Sequence, residues 1–427
     1  MCPLESTGIR LKLTSKSRFF DRQPASHPED TLDGFGANVD ALVFEGAVGK
    51  DAFRPSEKRM RRKSREAGKR RKLDCGQDIL VRVERVAFGG SGIGRLADGK
   101  VCFVPYVSPG EKVKARIRAR HSRYVEADLS EVTEPSHARV RPKCPVFGRC
   151  GGCHYQHLPY AKQLVLKSEQ VIEVLQRLGG IPAAPVEPTI PSPLEFNYRN
   201  RITVHSESGR VGFFGSRTHT IVDVKECPIA NEQVNALLRQ LRNSQPKDGT
   251  YPLREFSDYR GFRQVNDAVA GRLLEIAEEM ARPGNRLLVD AYCGAGFFAR
   301  RLADLFELTI GIEWSRDAIR AAREKAGPRE IYLLGDVKRH LVPALAAAPV
   351  ENTTLLLDPP ETGLEAEVLE IIASKQPQRL IYVSCNPATL ARDLKNLVRR
   401  YVLQRVCPLD MFPQTSEIEV IGLLEKL

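Results

Sequence analysis

From about residue 262 the chain alternates short apolar runs with helix-like stretches, and this alternation leaves few folds open. The runs are Arg286–Tyr292, Leu308–Trp314, Ile331–Leu334, Thr354–Leu357 and Leu380–Val383. Each is too short for a helix, and each is followed by a stretch of helical periodicity. Strands joined through helices pair in parallel, because a parallel pair needs a long crossover. The expectation is an α/β fold: a doubly wound sheet covered on both faces, with ligands at the carboxyl ends of its strands.

Those ends carry acids. Asp290 lies at the end of the first run, Glu313 of the second, Asp336 of the third and Asp358, in Asp358-Pro359-Pro360, of the fourth. An acid at the second position suits the two hydroxyls of a ribose. Gly294 and Gly296 follow the first run, where a missing side chain lets backbone approach a ligand. Neither G-x-G-x-x-G nor a P-loop pattern accompanies them. A ring of carboxylates repels a pyrophosphate and attracts a cation. The pocket therefore suits a nucleoside carrying a sulfonium, S-adenosyl-L-methionine, and disfavours a nicotinamide cofactor.

The fifth run ends in Ser384-Cys385-Asn386-Pro387. Asn386 can cap the next helix and Pro387 suits its first turn. The partial positive charge of that helix N-terminus predicts a thiol biased toward thiolate. A buried, inert cysteine is the competing reading. The last apolar stretch, in DMFPQTSEIEVIGLL, opens with Glu419. A carboxylate inside an apolar alternation is a candidate general base.

The N-terminus lacks an apolar signal core, so the ten cysteines do not read as a disulfide framework. Cys144, Cys150 and Cys153 are spaced C-x5-C-x2-C, and Cys227 is the natural fourth ligand. A compact triple plus one distant thiol suits an iron–sulfur cluster. Zinc prefers paired ligands, but His154 and His157 keep it open, and free thiols are a third reading. Residues 76–134 read as five short strands with Gly-rich turns, a small closed barrel. A helix follows over about 159–178, stopped by Gly179-Gly180, and strands return over 195–225. Of the net charge of +12, Lys58–Lys72 holds ten Lys/Arg against one Glu. This is a solvated tail or an arm that follows a phosphate backbone. Residues 1–59 show little periodicity, and Met60 stands as an alternative start. No apolar run reaches the roughly 18 residues of a membrane span, and the cytoplasm is the expected compartment.

Together these residues resemble the RNA uracil-C5 methyltransferases, specifically the iron–sulfur members with an N-terminal TRAM domain that act on 23S rRNA. The resemblance runs from about residue 76 to the C-terminus. It rests on the four cysteines, FRQVN at 262–266, DAYCGAG at 290–296, DPP at 358–360, VSCNPATLARD at 383–393 and DMFPQT at 410–415. It implies a basic tail (1–75), an OB-like TRAM barrel (76–134), a central domain with a [4Fe-4S] cluster on Cys144, Cys150, Cys153 and Cys227 (135–261), and a Rossmann-like methyltransferase domain (262–427). It further implies Cys385 as nucleophile and Glu419 as base. Gln264, Tyr292, Phe297, Glu313, Asp336 and Asp358 match positions around the methyl donor, and Phe262 a position at the target base.

The chemistry of such enzymes explains the thiol. Thiolate addition to uracil C6 makes C5 carbanion-like, so that C5 attacks a sulfonium methyl, and a base then removes the C5 proton. The target must leave its stack, at a cost of roughly a few kcal/mol. The expected partner is 23S rRNA, with the tRNA T-loop uridine (uracil 54) as the alternative, no membrane, and a monomeric enzyme. Three positions depart from the family pattern: Glu361 stands where most relatives carry Arg, Glu417 where they carry His, and Phe297 where Asn is common. Two extra carboxylates disfavour phosphate nearby. A non-catalytic RNA-binding relative is the contrasting expectation, which the joint presence of Cys385 and Glu419 opposes.

Overall fold

The structure is a computed structural model, and it describes residues 75–255 and 264–427. The basic stretch, residues 1–59, Phe262 and the expected boundary at 261/262 lie outside the described residues.

Five strands, β1 (Asp78–Val86), β2 (Ser91–Arg95), β3 (Val101–Pro105), β4 (Lys112–Arg120) and β5 (Tyr124–Glu134), close a barrel in the order β1-β2-β3-β5-β4. β1 and β4 bury alternate residues, so Ile79, Val81, Val83, Val113, Ala115 and Ile117 fill the interior. β2 crosses β1 closely beside a bulge at Val83/Arg85. A Cβ on Gly94 would collide there with the Arg82 carbonyl and the Val81 side chain.

Next come α1 (Tyr160–Arg177), β6 (Arg201–Glu207), β7 (Arg210–Phe214), β8 (Ile221–Asp223), α2 (Glu232–Asn243) and β9 (Gly249–Arg254). The four strands form an antiparallel sheet, β8-β7-β6-β9. α2 and β9 were not expected. β9 contains Pro252 and sits on an edge, where a missing donor is tolerated. α2 buries only Val234, Asn235 and Leu238, too narrow a stripe to stand out.

The remainder is α3 (Asp267–Ala281), β10 (Leu287–Ala291), α4 (Phe297–Leu302), β11 (Leu308–Glu313), α5 (Arg316–Glu324), β12 (Glu330–Leu334), α6 (Val337–Leu345), β13 (Thr353–Leu357), α7 (Ala366–Lys375), β14 (Arg379–Ser384), α8 (Pro387–Leu397), β15 (Tyr401–Leu409) and β16 (Glu419–Lys426). The sheet order is β12-β11-β10-β13-β14-β16-β15. The five expected strands are parallel, and β16 returns antiparallel to β14. β15, which was not expected, carries Arg405 and a bulge that breaks its alternation. Period-2 alternation sends successive residues to opposite faces. Leu288, Leu356 and Ile381 thus join α3 and α4 in one core, and Val289, Leu355 and Leu380 join the other. Val171, Val174 and Leu175 of α1 complete that second core. The strand order reverses between β10 and β13, which is where a crevice opens for ligands. Among the described residues no helix is long and apolar enough to cross a membrane.

Gly94→Val should overfill the β1–β2 crossing and lower stability by roughly 1–3 kcal/mol. Chemical denaturation monitored on the barrel should show a lower midpoint, and an unchanged midpoint would contradict the close approach.

Candidate active site

Strand ends around the β10/β13 crevice form the rim. β10 runs into Tyr292, Gly294 and Gly296, with φ of +67°, +54° and +79°. These left-handed residues fold the chain back sharply into α4. Asp290, read from sequence as a rim acid, is instead fully buried. Its Oδ2 accepts a 2.9 Å bond from the Ala299 amide, fastening the turn to α4. Its Oδ1 has no hydrogen-bond partner among the described residues. Glu313 accepts from the Gly294 amide at 3.1 Å and the Ser315 amide at 2.8 Å, tying that turn to the end of β11. Asp336 caps α6 by accepting from the Lys338 amide at 3.1 Å, and its other oxygen lies 3.4 Å from Lys338 Nζ. Asp358 is half-buried just past β13, where its amide donates to the Ala291 carbonyl at 3.3 Å. Gln264 is buried, and its carbonyl accepts from Asn200 Nδ2 at 2.8 Å. Phe297 lies edge-on to Phe298, 4.9 Å between centroids, and packs on the core beside α3.

Cys385 and Glu419 meet through strand register. β14 and β16 pair Ser384 with Val420. The next residue toward the rim is Cys385 on one strand end and Glu419 on its neighbour. Cys385 is exposed and Glu419 is buried. Asn386 caps α8 as expected, accepting from the Ala388 and Thr389 amides at 2.9 and 3.4 Å, with Pro387 in the first turn.

The expected bias toward thiolate is reversed. Desolvation by crowding neighbours, then the carboxylates of Glu419, Glu361 and Asp358, push the Cys385 thiol up to about 12. A helix N-terminus contributes only about half an elementary charge, and desolvation together with these acids outweighs it. Burial, then Asp358 and Glu417, hold the Glu419 carboxyl well above the usual carboxylate range. Burial and Glu313 push Asp358 to about 7. Glu361 and Glu417 thus both belong to the acid cluster around Cys385 and Glu419. A cation entering this crevice would relieve all of these carboxylates.

Asp393, within VSCNPATLARD but given no role from sequence, is fully buried. It accepts from Tyr382 Oη at 2.7 Å and the Leu364 amide at 2.8 Å, and pairs with Arg392 at 2.7 Å. It fastens the 360–364 turn, and with it Glu361, onto α8. Its place on the Leu390/Leu394 face of α8 was the available signal. Lys167 and Gln163, buried polar residues on α1, were also missed.

Cys144, Cys150, Cys153 and Cys227 lie in one region, each within electrostatic reach of others in the set. The Gly152 amide points at Cys150 Sγ at 3.5 Å, and the Ala230 and Ile229 amides at Cys227. Amides aimed at sulfur suit thiolate ligands. Among the described residues no group of three or more His, Cys, Asp or Glu is gathered closely enough to hold a metal ion.

Comparison with known proteins matches residues 345–427 to the tRNA (Uracil-5-)-methyltransferase family and residues 73–130 to the TRAM domain. An RNA methyltransferase of Bdellovibrio bacteriovorus is 32% identical, over 85% of this chain and 98% of that one. One from Nostoc is 30% identical, over 82% and 96%. A tRNA (uracil(54)-C(5))-methyltransferase of Schizosaccharomyces pombe is 29% identical, over 82% and 79%. The crystal structure of the Pyrococcus abyssi tRNA (uracil-54, C5)-methyltransferase with S-adenosyl-L-homocysteine superimposes with a TM-score of 0.61 at 21% identity, over 81% of this chain and all of that one. That likeness speaks to the fold.

Two outcomes follow from the electrostatics. Alkylation of Cys385 by iodoacetamide, read by mass spectrometry, should rise about tenfold per pH unit through neutrality, since thiolate forms only as pH nears about 12. Glu361→Gln removes a neighbouring negative charge and should speed alkylation at fixed pH; an unchanged rate would contradict the assignment. Glu419 has its folded pKa raised, so the unfolded chain releases this proton first as pH rises above the ordinary carboxylate range, and folding weakens. Glu419→Gln should therefore raise the melting temperature at pH 8 and leave it nearly unchanged at pH 4, and a loss of stability at pH 8 would contradict this.

Proposed function

Because the chain belongs to the family of RNA uracil-C5 methyltransferases, we propose that it converts a uridine of 23S rRNA to 5-methyluridine, with Cys385 as nucleophile and Glu419 as general base. The observation that carries this reading is the β14/β16 register, which sets that thiol and that carboxylate side by side at the rim of the crevice.

S-adenosyl-L-methionine, when bound, supplies an electrophilic methyl on a cationic sulfur. Tyr292, Glu313 and Asp358 at the crevice would hold it, with Gln264, Asp336 and Phe297 around them. The acid cluster suits that cation, and the glycine turn leaves backbone accessible. Cys385, once its thiol proton has passed to solvent, bonds through Sγ to uracil C6, and the displaced electron pair moves through C5 onto the C4 oxygen as an enolate. C5 then takes the methyl group as the methyl–sulfur bond breaks, and S-adenosyl-L-homocysteine is the neutral leaving group. The Glu419 carboxylate removes the C5 proton, the pair returns to the C5–C6 bond, and Cys385 leaves as thiolate. A buried carboxyl with a raised pKa holds such a proton well.

The TRAM barrel and the basic stretch Lys58–Lys72 would contact the RNA backbone. We further propose a [4Fe-4S] cluster on Cys144, Cys150, Cys153 and Cys227, where it would brace the loop that carries them. The four-thiol donor set and the amides aimed at Cys150 and Cys227 support it. The TRAM domain together with the four cysteines supports rRNA. A second reading, the T-loop uridine of tRNA, is favoured by relatives named for uracil 54. The enzyme is proposed to act as a monomer.

RNA containing 5-fluorouridine, mixed with the protein and the methyl donor, should give a denaturant-stable protein–RNA adduct, absent from Cys385→Ala. Sequencing the trapped fragment separates 23S rRNA from tRNA. No adduct with either RNA would overturn the reading in favour of a non-catalytic RNA-binding protein. Anaerobically purified protein should contain iron and acid-labile sulfide, lost in Cys153→Ser; zinc without sulfide would overturn the cluster.

A further inference from the structure

Residues 410–417 join β15 to β16 and end two residues before Glu419. They form a run of turns and bends, with Gln414 at a φ of +71°. The segment is held largely by side chains and backbone from elsewhere in the chain. Lys167, on α1, is fully buried. Its Nζ lies 2.6 Å from Asp410 Oδ1 and donates to the carbonyls of Phe412 at 3.1 Å and Glu417 at 2.8 Å. All three ammonium donors are thus directed at one segment, reaching both of its ends. Gln163, about one turn earlier on α1, accepts from the Gln414 amide and donates to Gln414 Oε1, both at 3.0 Å. The His154 and Tyr155 amides donate to the Gln414 carbonyl at 2.9 and 3.0 Å, which docks the cysteine-bearing loop on the same segment. Tyr198 Oη donates to the Pro413 carbonyl at 3.0 Å.

A buried ion pair seldom adds stability over a well-packed apolar pair. What Lys167 adds is direction, since a methionine of similar length could fill the space but could not hold two carbonyls and a carboxylate at once. We infer that Lys167 is a positioning residue for C5 deprotonation: by clamping 410–417 from α1, it fixes Glu419 at the rim opposite Cys385. This rests on the roles proposed above for Cys385 and Glu419. Cys385 follows β14, a strand paired on both sides within the sheet. Glu419 opens β16, where it pairs with Leu409 of β15, and the clamped segment spans the connection between those two strand ends. Loosening the clamp should therefore slow removal of the C5 proton more than addition of the thiol. The methylated adduct, with its Cys385 Sγ–C6 bond still in place, would then outlive a normal turnover.

The full-length protein is mixed with ordinary uridine RNA and S-adenosyl-L-methionine, quenched in denaturant, and assayed for covalent adduct. Wild type should show little. Lys167→Met should accumulate adduct, as Glu419→Gln should, with kcat lowered about tenfold or more and KM for RNA nearly unchanged. Lys167→Arg should recover part of the turnover. Because Lys167→Met strands the Asp410 charge, Gln163→Leu loosens the same segment at Gln414 without doing so, and it decides the matter if the first variant fails to fold. Trapping of 5-fluorouridine RNA at the wild-type rate should persist in both variants. Normal turnover in the folded variants, or trapping and turnover lost in parallel, overturns the inference. Failure of wild type to trap 5-fluorouridine RNA instead overturns the parent reading.

Discussion

The antiparallel pairing of β16 with β14 carries the site, because Ser384 opposite Val420 makes Cys385 and Glu419 the next residues on adjacent strand ends. A slip of one residue would turn every β16 side chain to the other face of the sheet. Such a slip is opposed on both faces, since Val420 and Leu424 enter one core and Ile421 the other. Ordinary packing of apolar side chains thus sets the register that brings Cys385 and Glu419 together. The same sheet places the acid-lined crevice next to them, since β14 adjoins β13, whose end carries Asp358.

Electrostatics in that crevice work against the free protein. Glu419 and Asp358 have pKa values raised by burial and by neighbouring carboxylates, and the exposed Cys385 thiol is raised by desolvation from the atoms crowding it and by the same acids. Sites arranged for a charged reactant commonly carry such strain, and the surrounding fold must offset it. Here the offset comes from two apolar cores and from fastenings such as Asp393, whose ligands lock the turn bearing Glu361. Glu361 adds to the negative charge that holds the thiol protonated.

The parallel sheet, the capped start of α8 and the barrel were legible because each rests on short-range signals: alternation, crossover helices, and an Asn-Pro pair at a helix start. The acids at strand ends were legible as positions and less so as partners. Asp290 and Asp336 turned out to fasten a turn and cap a helix, choices made by amides that fold back onto them. The thiolate expected at Cys385 failed for a similar reason. The helix end is local, but Glu419 and Glu361 arrive from other parts of the chain. Lys167, Gln163 and Asp393 were missed because a polar residue on an apolar helix face reads as an interruption until its partners, here as far off as Asp410 and Gln414, are in place. Spacing singled out Cys144, Cys150 and Cys153 with Cys227 as a distant fourth, and the structure brings them into one region with amides facing two of them, without gathering three or more of them closely enough, among the described residues, to hold a metal ion.

The claim at the centre is that one pyrimidine is attacked by Cys385 and deprotonated by Glu419. Tritium at uracil C5 tests this most directly, since that hydrogen must leave once for every methyl group that enters. With [5-³H]uridine-labelled substrate RNA and excess S-adenosyl-L-methionine, the account predicts one tritium released to water per methyl incorporated, with no release from Cys385→Ala. Methyl incorporation that leaves the tritium in the RNA would contradict it.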